Sequence, residues 1–280
     1  MKIRDIIDNL IEWHQPYENP KTRDTIKCGN PDVECTGIAV TCYANIEVVK
    51  EAIKKNCNLI IAHESLYYGD EYGTKPFEDI EAYKAKKALL EDSNIVVFRN
   101  HDRMHGKGKP WVPERLRNDY IYYGLMKELG WEEYVVGDRM KPLWYKIPEI
   151  EIRDLADYLM QRLDITGLRL VGSTKGKVTD IFVSEHCIGK GDDKAILSAV
   201  NAQVIIPLEI CDYTLSAYVR DAALAGETKA ILEMGHFNVE EAGMKHMASW
   251  LPEAIKDDTT PIHFIKSGDT YNYILRKEVN

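Results

Sequence analysis

Three short segments of this chain each bring an imidazole close to a second side chain able to bind a metal. His63 and Glu64 are adjacent at the end of "NLIIAHES", His101 and His105 close "NIVVFRNHDRMH", and His236 and Glu240 close "KAILEMGHFNVE". Imidazole and carboxylate donors suit zinc, manganese or iron(II), and no thiolate stands among them. Taken singly each pair is weak, because a His-Glu pair at a strand end is commonly a hydrogen-bonded structural pair. Together they point to a metal site, since all three fall where an apolar run ends. The last segment has local mechanics of its own. Gly235 permits a sharp exit from a strand, Asn238 reads as an N-cap with Glu241 as its capping-box partner, and Glu240 then lies in the first helical turn.

Ligands at strand ends need strands that end together, and the chain supplies them. Short β-branched runs alternate with helical stretches: "GIAVTCYA", "IEVVKEAIKK", "NLIIAH", "EAYKAKKALLED", "NIVVFRNH", then the helical "PERLRNDYIYYGLMKELG". That alternation predicts an α/β fold, in which ligands collect beyond the carboxyl ends of the strands. After Gly130 come "LWYKI", a helix starting at Pro148, "LRLVG" and "DIFVSEH", and the alternation resumes to "PIHFIKSGD". The stretch from Thr36 to Glu64 is echoed by that from Thr179 to Glu209, each reading strand, helix, strand and ending on glutamate. We therefore expect two related α/β lobes, residues 1–130 and 131–280, with the last strand able to pack back on the first lobe. The echo also nominates Glu209 as a partner orienting a histidine, against an ordinary strand-end carboxylate.

Composition bounds the partners. With 45 acidic and 36 basic residues among 280, the formal charge is -9, which argues against direct nucleic-acid binding through a basic surface. Arg103, Lys107 and Lys109, beside the second ligand pair, could hold a substrate phosphate or form a solvated basic loop. Tyr67, Tyr68 and Tyr72 could line a pocket or an oligomer contact. The opening "MKIRDIIDNLIEWHQ" reads as an amphipathic helix rather than a signal peptide, and no apolar run is long enough to span a membrane. Six cysteines without a C-x-x-C spacing read as reduced thiols, and the expected location is cytoplasmic.

At these segments the chain resembles the Nif-three-like family, the type 2 GTP cyclohydrolase I homologues, in its short form without a middle insertion. The resemblance runs through "CGNPDVECTGIAVTCYANIEVVKEAIKKNCNLIIAHES", "NHDRMH" and "GHFNVEEAGMKHMASWL". It implies two lobes with mixed sheets, a metal site between them, two divalent ions (zinc, iron or manganese) and a homohexamer. The ligand positions it carries over are His63, Glu64, His101, His105, His236 and Glu240. Two depart from the family pattern, which has a second histidine where this chain has Glu64 and an aspartate where it has His105. Four imidazoles and two carboxylates remain in either arrangement, and a one-loop slip would put Asp102 in place of His105. The implied function is a metal-dependent hydrolase of a small molecule, a nucleotide, phosphoester or cyclic amide, with a bridging hydroxide as nucleophile. A non-enzymatic metal-binding or delivery protein and an interaction scaffold stabilised by metal stand as alternatives.

Overall fold

The structure is a computed structural model that describes residues 1–14, 19–69, 73–106, 119–188 and 199–274. Two compact units emerge, Met1–Gly124 with Glu240–Ser267, and Leu125–Val239 with Gly268–Asn280.

The first unit opens on helix α1 (Ile3–Trp13), whose Ile3, Ile6, Ile7 and Leu10 recur at helical spacing and are buried. Its five-stranded sheet has the order β1 (Ile26–Cys28), β4 (Val96–Arg99), β3 (Leu59–Ala62), β2 (Ile38–Thr41), β10 (Ile262–Phe264). β2, β3 and β4 are parallel and wholly buried, which is why they read as unbroken apolar runs rather than alternating ones. The crossovers are helices α2 (Ile46–Lys54) and α3 (Glu81–Asp92), the former capped by Asn45, which accepts from the Val48 amide. Thr41 pairs with Ala62 and Ala62 with Arg99. The three carboxyl ends are therefore level, and the residues that follow them emerge along one edge of the sheet.

Residues Glu240–Ser267 fold with this first unit; the sequence reading placed 131–280 in the second lobe with only the last strand able to pack back, and the chain from Glu240 onward returns with that strand. β10 finds a parallel partner in β2, Ile262 opposite Ile38 and Phe264 opposite Val40. Between α4 (Tyr120–Leu129) and the helix His236–Ile255, Gly124 and Gly243 meet without side chains. A Cβ on Gly243 would lie 2.5 Å from the Ile121 Cα, and one on Gly124 2.5 Å from the Gly243 Cα.

The second unit has the order β5 (Trp144–Glu151), β7 (Lys177–Ile188), β8 (Val204–Ile210), β9 (Ala230–Glu233), β6 (Arg169–Gly172). Its central β7, β8 and β9 are parallel, and β6 lies antiparallel beyond β9 as β1 does beyond β4. The echo in the sequence is thus a repeat of topology over four strands. The fifth differs, β5 being antiparallel to β7 where β10 is parallel to β2. Helix α5 begins at Ile152, not Pro148, because the proline belongs to edge strand β5, where the missing N–H costs no central ladder bond. Among the described residues no helix is long and apolar enough to cross a membrane.

Candidate metal centre

Three imidazoles meet at the carboxyl edge of the first sheet. His63 follows β3, His101 lies just past β4, and His105 stands one turn further on. Their ring centroids are 4.5 Å apart for His63 and His101, 5.0 Å for His63 and His105, and 4.9 Å for His101 and His105. One donor atom from each lies within 4.8 Å of the other two, and His63, Glu64 and Glu240 form a second group of the same kind.

The protons on these rings are set by what each Nδ1 touches. His63 Nδ1 lies 3.2 Å from the Asn100 backbone oxygen, His101 Nδ1 3.1 Å from Asp102 Oδ1, and His105 Nδ1 3.1 Å from Asp119 Oδ2. A carbonyl and two carboxylates only accept, so each Nδ1 carries the proton and each Nε2 presents a lone pair. His63 Nε2 makes no hydrogen bond among the described residues and faces Glu240 Oε2 at 3.4 Å, while His105 Nε2 lies 3.9 Å from Glu240 Oε1. Burial holds the His101 ring neutral. His101 is pushed down to about 3, first by loss of solvent and then by the His63 beside it, with the Asp102 hydrogen bond pulling the other way. The Nε2 atoms of His63 and His105 beside a buried carboxylate, with the His101 ring stacked on His63, fit a divalent metal bound through nitrogen and oxygen.

The shape of the turn comes from groups that the sequence reading missed. Asp24 is buried and accepts from the backbone amides of His101, Asp102 and Arg103 at 2.6, 2.8 and 3.0 Å, and from Arg103 Nη1 at 2.9 Å. Arg103 is thereby tied into the turn and buried, rather than lying on a solvated loop. Lys107, Lys109 and Tyr72 lie outside the described residues. Asp102 accepts from Thr22 Oγ1 and the Arg23 amide, each at 3.1 Å, besides orienting His101. The structure therefore brings His105, not Asp102, to the other imidazoles. Arg99, buried at the end of β4, donates to the His63 carbonyl and Ser65 Oγ and lies 3.3 Å from Glu64 Oε2. An arginine closing an apolar strand was a readable signal. Asp119 was not, because the helical stretch was read from Pro113 and so enclosed it; residues 113–118 lie outside the described residues.

Tyr67 is buried against Tyr83, and Tyr68 is exposed with its ring edge-on to Phe77. The five cysteines whose side chains are described are free thiols.

In the second unit Glu209 Oε1 lies 3.1 Å from His236 Nδ1. The helix carrying Glu240 starts earlier than the capping box implied. Gly235, at φ +97°, accepts from the Val239 amide and acts as the cap, so the helix begins at His236 and Glu240 is its fifth residue. Asn238 instead donates to the Met234 carbonyl, and Glu241 accepts from the Ser267 amide.

Comparison with known proteins identifies the fold and the family. A protein named GTP cyclohydrolase 1 type 2 homolog from Staphylococcus aureus (strain MRSA252) is 24% identical over 182 residues, 62% of this chain and 44% of its own length. One of the same name from Staphylococcus epidermidis (strain ATCC 35984) is 24% identical over 240 residues, 83% of this chain and 59% of its own. The chain thus spans about half the length of these curated relatives. A crystal structure of a Staphylococcus aureus hypothetical protein shares the fold at TM-score 0.68 and 20% identity, covering 98% of this chain and 99% of that one. A Bacillus cereus protein related to NIF3 does so at 0.67 and 15%, covering 99% of each. The Duf34/NIF3 (NGG1p interacting factor 3) family model matches residues 1–270, and the chain belongs to that family.

Proposed function

We propose that the protein is a metal-dependent hydrolase acting on a nucleotide, a phosphoester or a cyclic amide. The observation that carries this reading is the convergence of His63, His101 and His105 with every Nδ1 committed to an acceptor. In the proposal His63, Glu64, His101, His105, His236 and Glu240 hold two divalent ions, His236 entering on its place in the sequence motif alone. Such ions, when bound, supply Lewis-acid polarisation and an acidified water at neutral pH.

The chain's own residues do the rest. Buried Glu240 supplies a carboxylate beside the His63 and His105 imidazoles, while Arg99 fixes the carboxylate of Glu64 and the peptide of His63. The relatives' printed names support a nucleotide substrate. A homohexamer belongs to the same proposal and is measured by light scattering.

The test is an anaerobic preparation reconstituted with zinc, manganese or iron(II), analysed for metal per chain, then offered GTP and simple phosphoesters. Close to two ions per chain and metal-dependent turnover are expected. Metal binding without turnover on any substrate would leave a metal-binding protein and remove the hydrolase.

A further inference from the structure

Asp119 stands immediately before helix Tyr120–Leu129 and is buried. Its two oxygens do different work. Oδ1 accepts from the amides of Ile121 and Tyr122, each at 3.2 Å, which is the capping arrangement for the first turn of a helix. Oδ2 lies 3.1 Å from His105 Nδ1. We propose that Asp119 is a positioning residue for metal binding, one carboxylate joining a helix cap to the His105 imidazole so that His105 meets the metal through Nε2. The inference rests on the metal reading above and goes beyond it by placing outside the ligand set a residue on which that set depends.

The reason lies in the count of acceptors. A histidine can ligate through either nitrogen, and the proton goes to the one that faces an acceptor. His105 Nε2 faces Glu240 Oε1 at 3.9 Å, and the ring packs against those of His63 and His101, so Nδ1 must keep the proton for Nε2 to stay bare. Asp119 is built for that and for the cap at once, because a carboxylate offers two acceptor oxygens. Asparagine offers one. If its oxygen caps the helix, its NH2 confronts His105 Nδ1 and drives the proton to Nε2. If the amide turns over, the NH2 confronts the Ile121 and Tyr122 amides and the cap is lost. Asp24 and Asp102 shape the neighbouring turn from another side and cannot substitute, since neither hydrogen-bonds the His105 ring among the described residues.

The test compares the wild-type chain with Asp119→Asn, Asp119→Ser, His105→Ala and the double variant His105→Ala with Asp119→Asn. Zinc affinity is measured by chelator competition, and the His105 tautomer by nitrogen-15 imidazole shifts of the metal-free protein. Serine still caps a helix but is too short to reach the ring, so it keeps the fold if asparagine does not. We expect either single change at 119 to weaken zinc binding about 10- to 100-fold and to lower the share of the Nδ1–H tautomer. Once His105 is gone, Asp119→Asn should cost no further affinity. Wild-type affinity and tautomer in both 119 variants would overturn the inference alone, as would losses that simply multiply with that of His105→Ala. Failure of the wild-type chain to take up zinc would overturn the metal reading, and this inference with it.

Discussion

At the scale of single residues, Glu240 and Arg103 separate a proposed ligand from the scaffold around it. Glu240 is fully buried with its oxygens 3.4 and 3.9 Å from two imidazole Nε2 atoms, so Glu240→Ala should cut zinc affinity by more than about 100-fold, because removing a donor costs more than removing its support. Arg103→Ala removes the cation from buried Asp24. Its effect should fall on stability, about 3 kcal/mol, with a smaller loss of affinity. Urea denaturation and chelator competition on both variants check this, and the reverse ranking would mean that the carboxylate is not a ligand. The histidines were legible in the sequence because each closes an apolar strand. Asp24 was not, because three consecutive amides converge on it only after the turn at His101 has formed.

At the scale of elements, the helix His236–Ile255 carries Glu240 and is seated through Gly243 on α4. Alanine in place of an interior helical glycine ordinarily gains up to about 1 kcal/mol. Here the new Cβ would stand 2.5 Å from the Ile121 Cα and 2.9 Å from its backbone oxygen, and backbone cannot give way as a side chain can. Overpacking, at about 1–3 kcal/mol, wins over propensity. Gly243→Ala should lower the denaturation midpoint and weaken zinc binding together, since Glu240 rides one turn away on the same helix. A gain in stability would show that the helices tolerate a wider spacing. The strands and the crossover helices of the first unit were readable from their period. The start of the Glu240 helix was misread, because Asn238 makes contacts with Met234 and Asp269 that no local pattern announces.

For the whole molecule, two buried histidines set an acid limit. His14, enclosed by Tyr120 and Trp250, is pushed down to about 3, first by burial and then by the charge of Arg103, and His101 is pushed down equally far. Both have folded values below the ordinary 6.5, so the unfolded chain takes up protons that the folded chain refuses. Stability of the metal-free protein should be full above pH 6.5 and fall as pH drops toward 3, by about 1.4 kcal/mol per pH unit for each histidine. Denaturation at pH 7, 6 and 5 measures the slope, and His14→Gln should remove roughly half of it. A slope unchanged in that variant would remove His14 from the account. What the sequence determined by itself was local: which runs become strands and helices, that the order repeats, and that imidazoles and carboxylates stand where strands end. These follow from periods of two and 3.6 and from the residues that interrupt them. Only the tertiary structure decided that the chain returns to the first unit from Glu240 onward and not just with its last strand, which brings Glu240 to His63, and that Asp24, Arg99 and Asp119 shape the turn and orient the side chains of the cluster. Those arrangements depend on strand pairing and helix packing between segments far apart along the chain, where the burial that decides the outcome is summed over the whole fold and leaves no mark in any short stretch of residues.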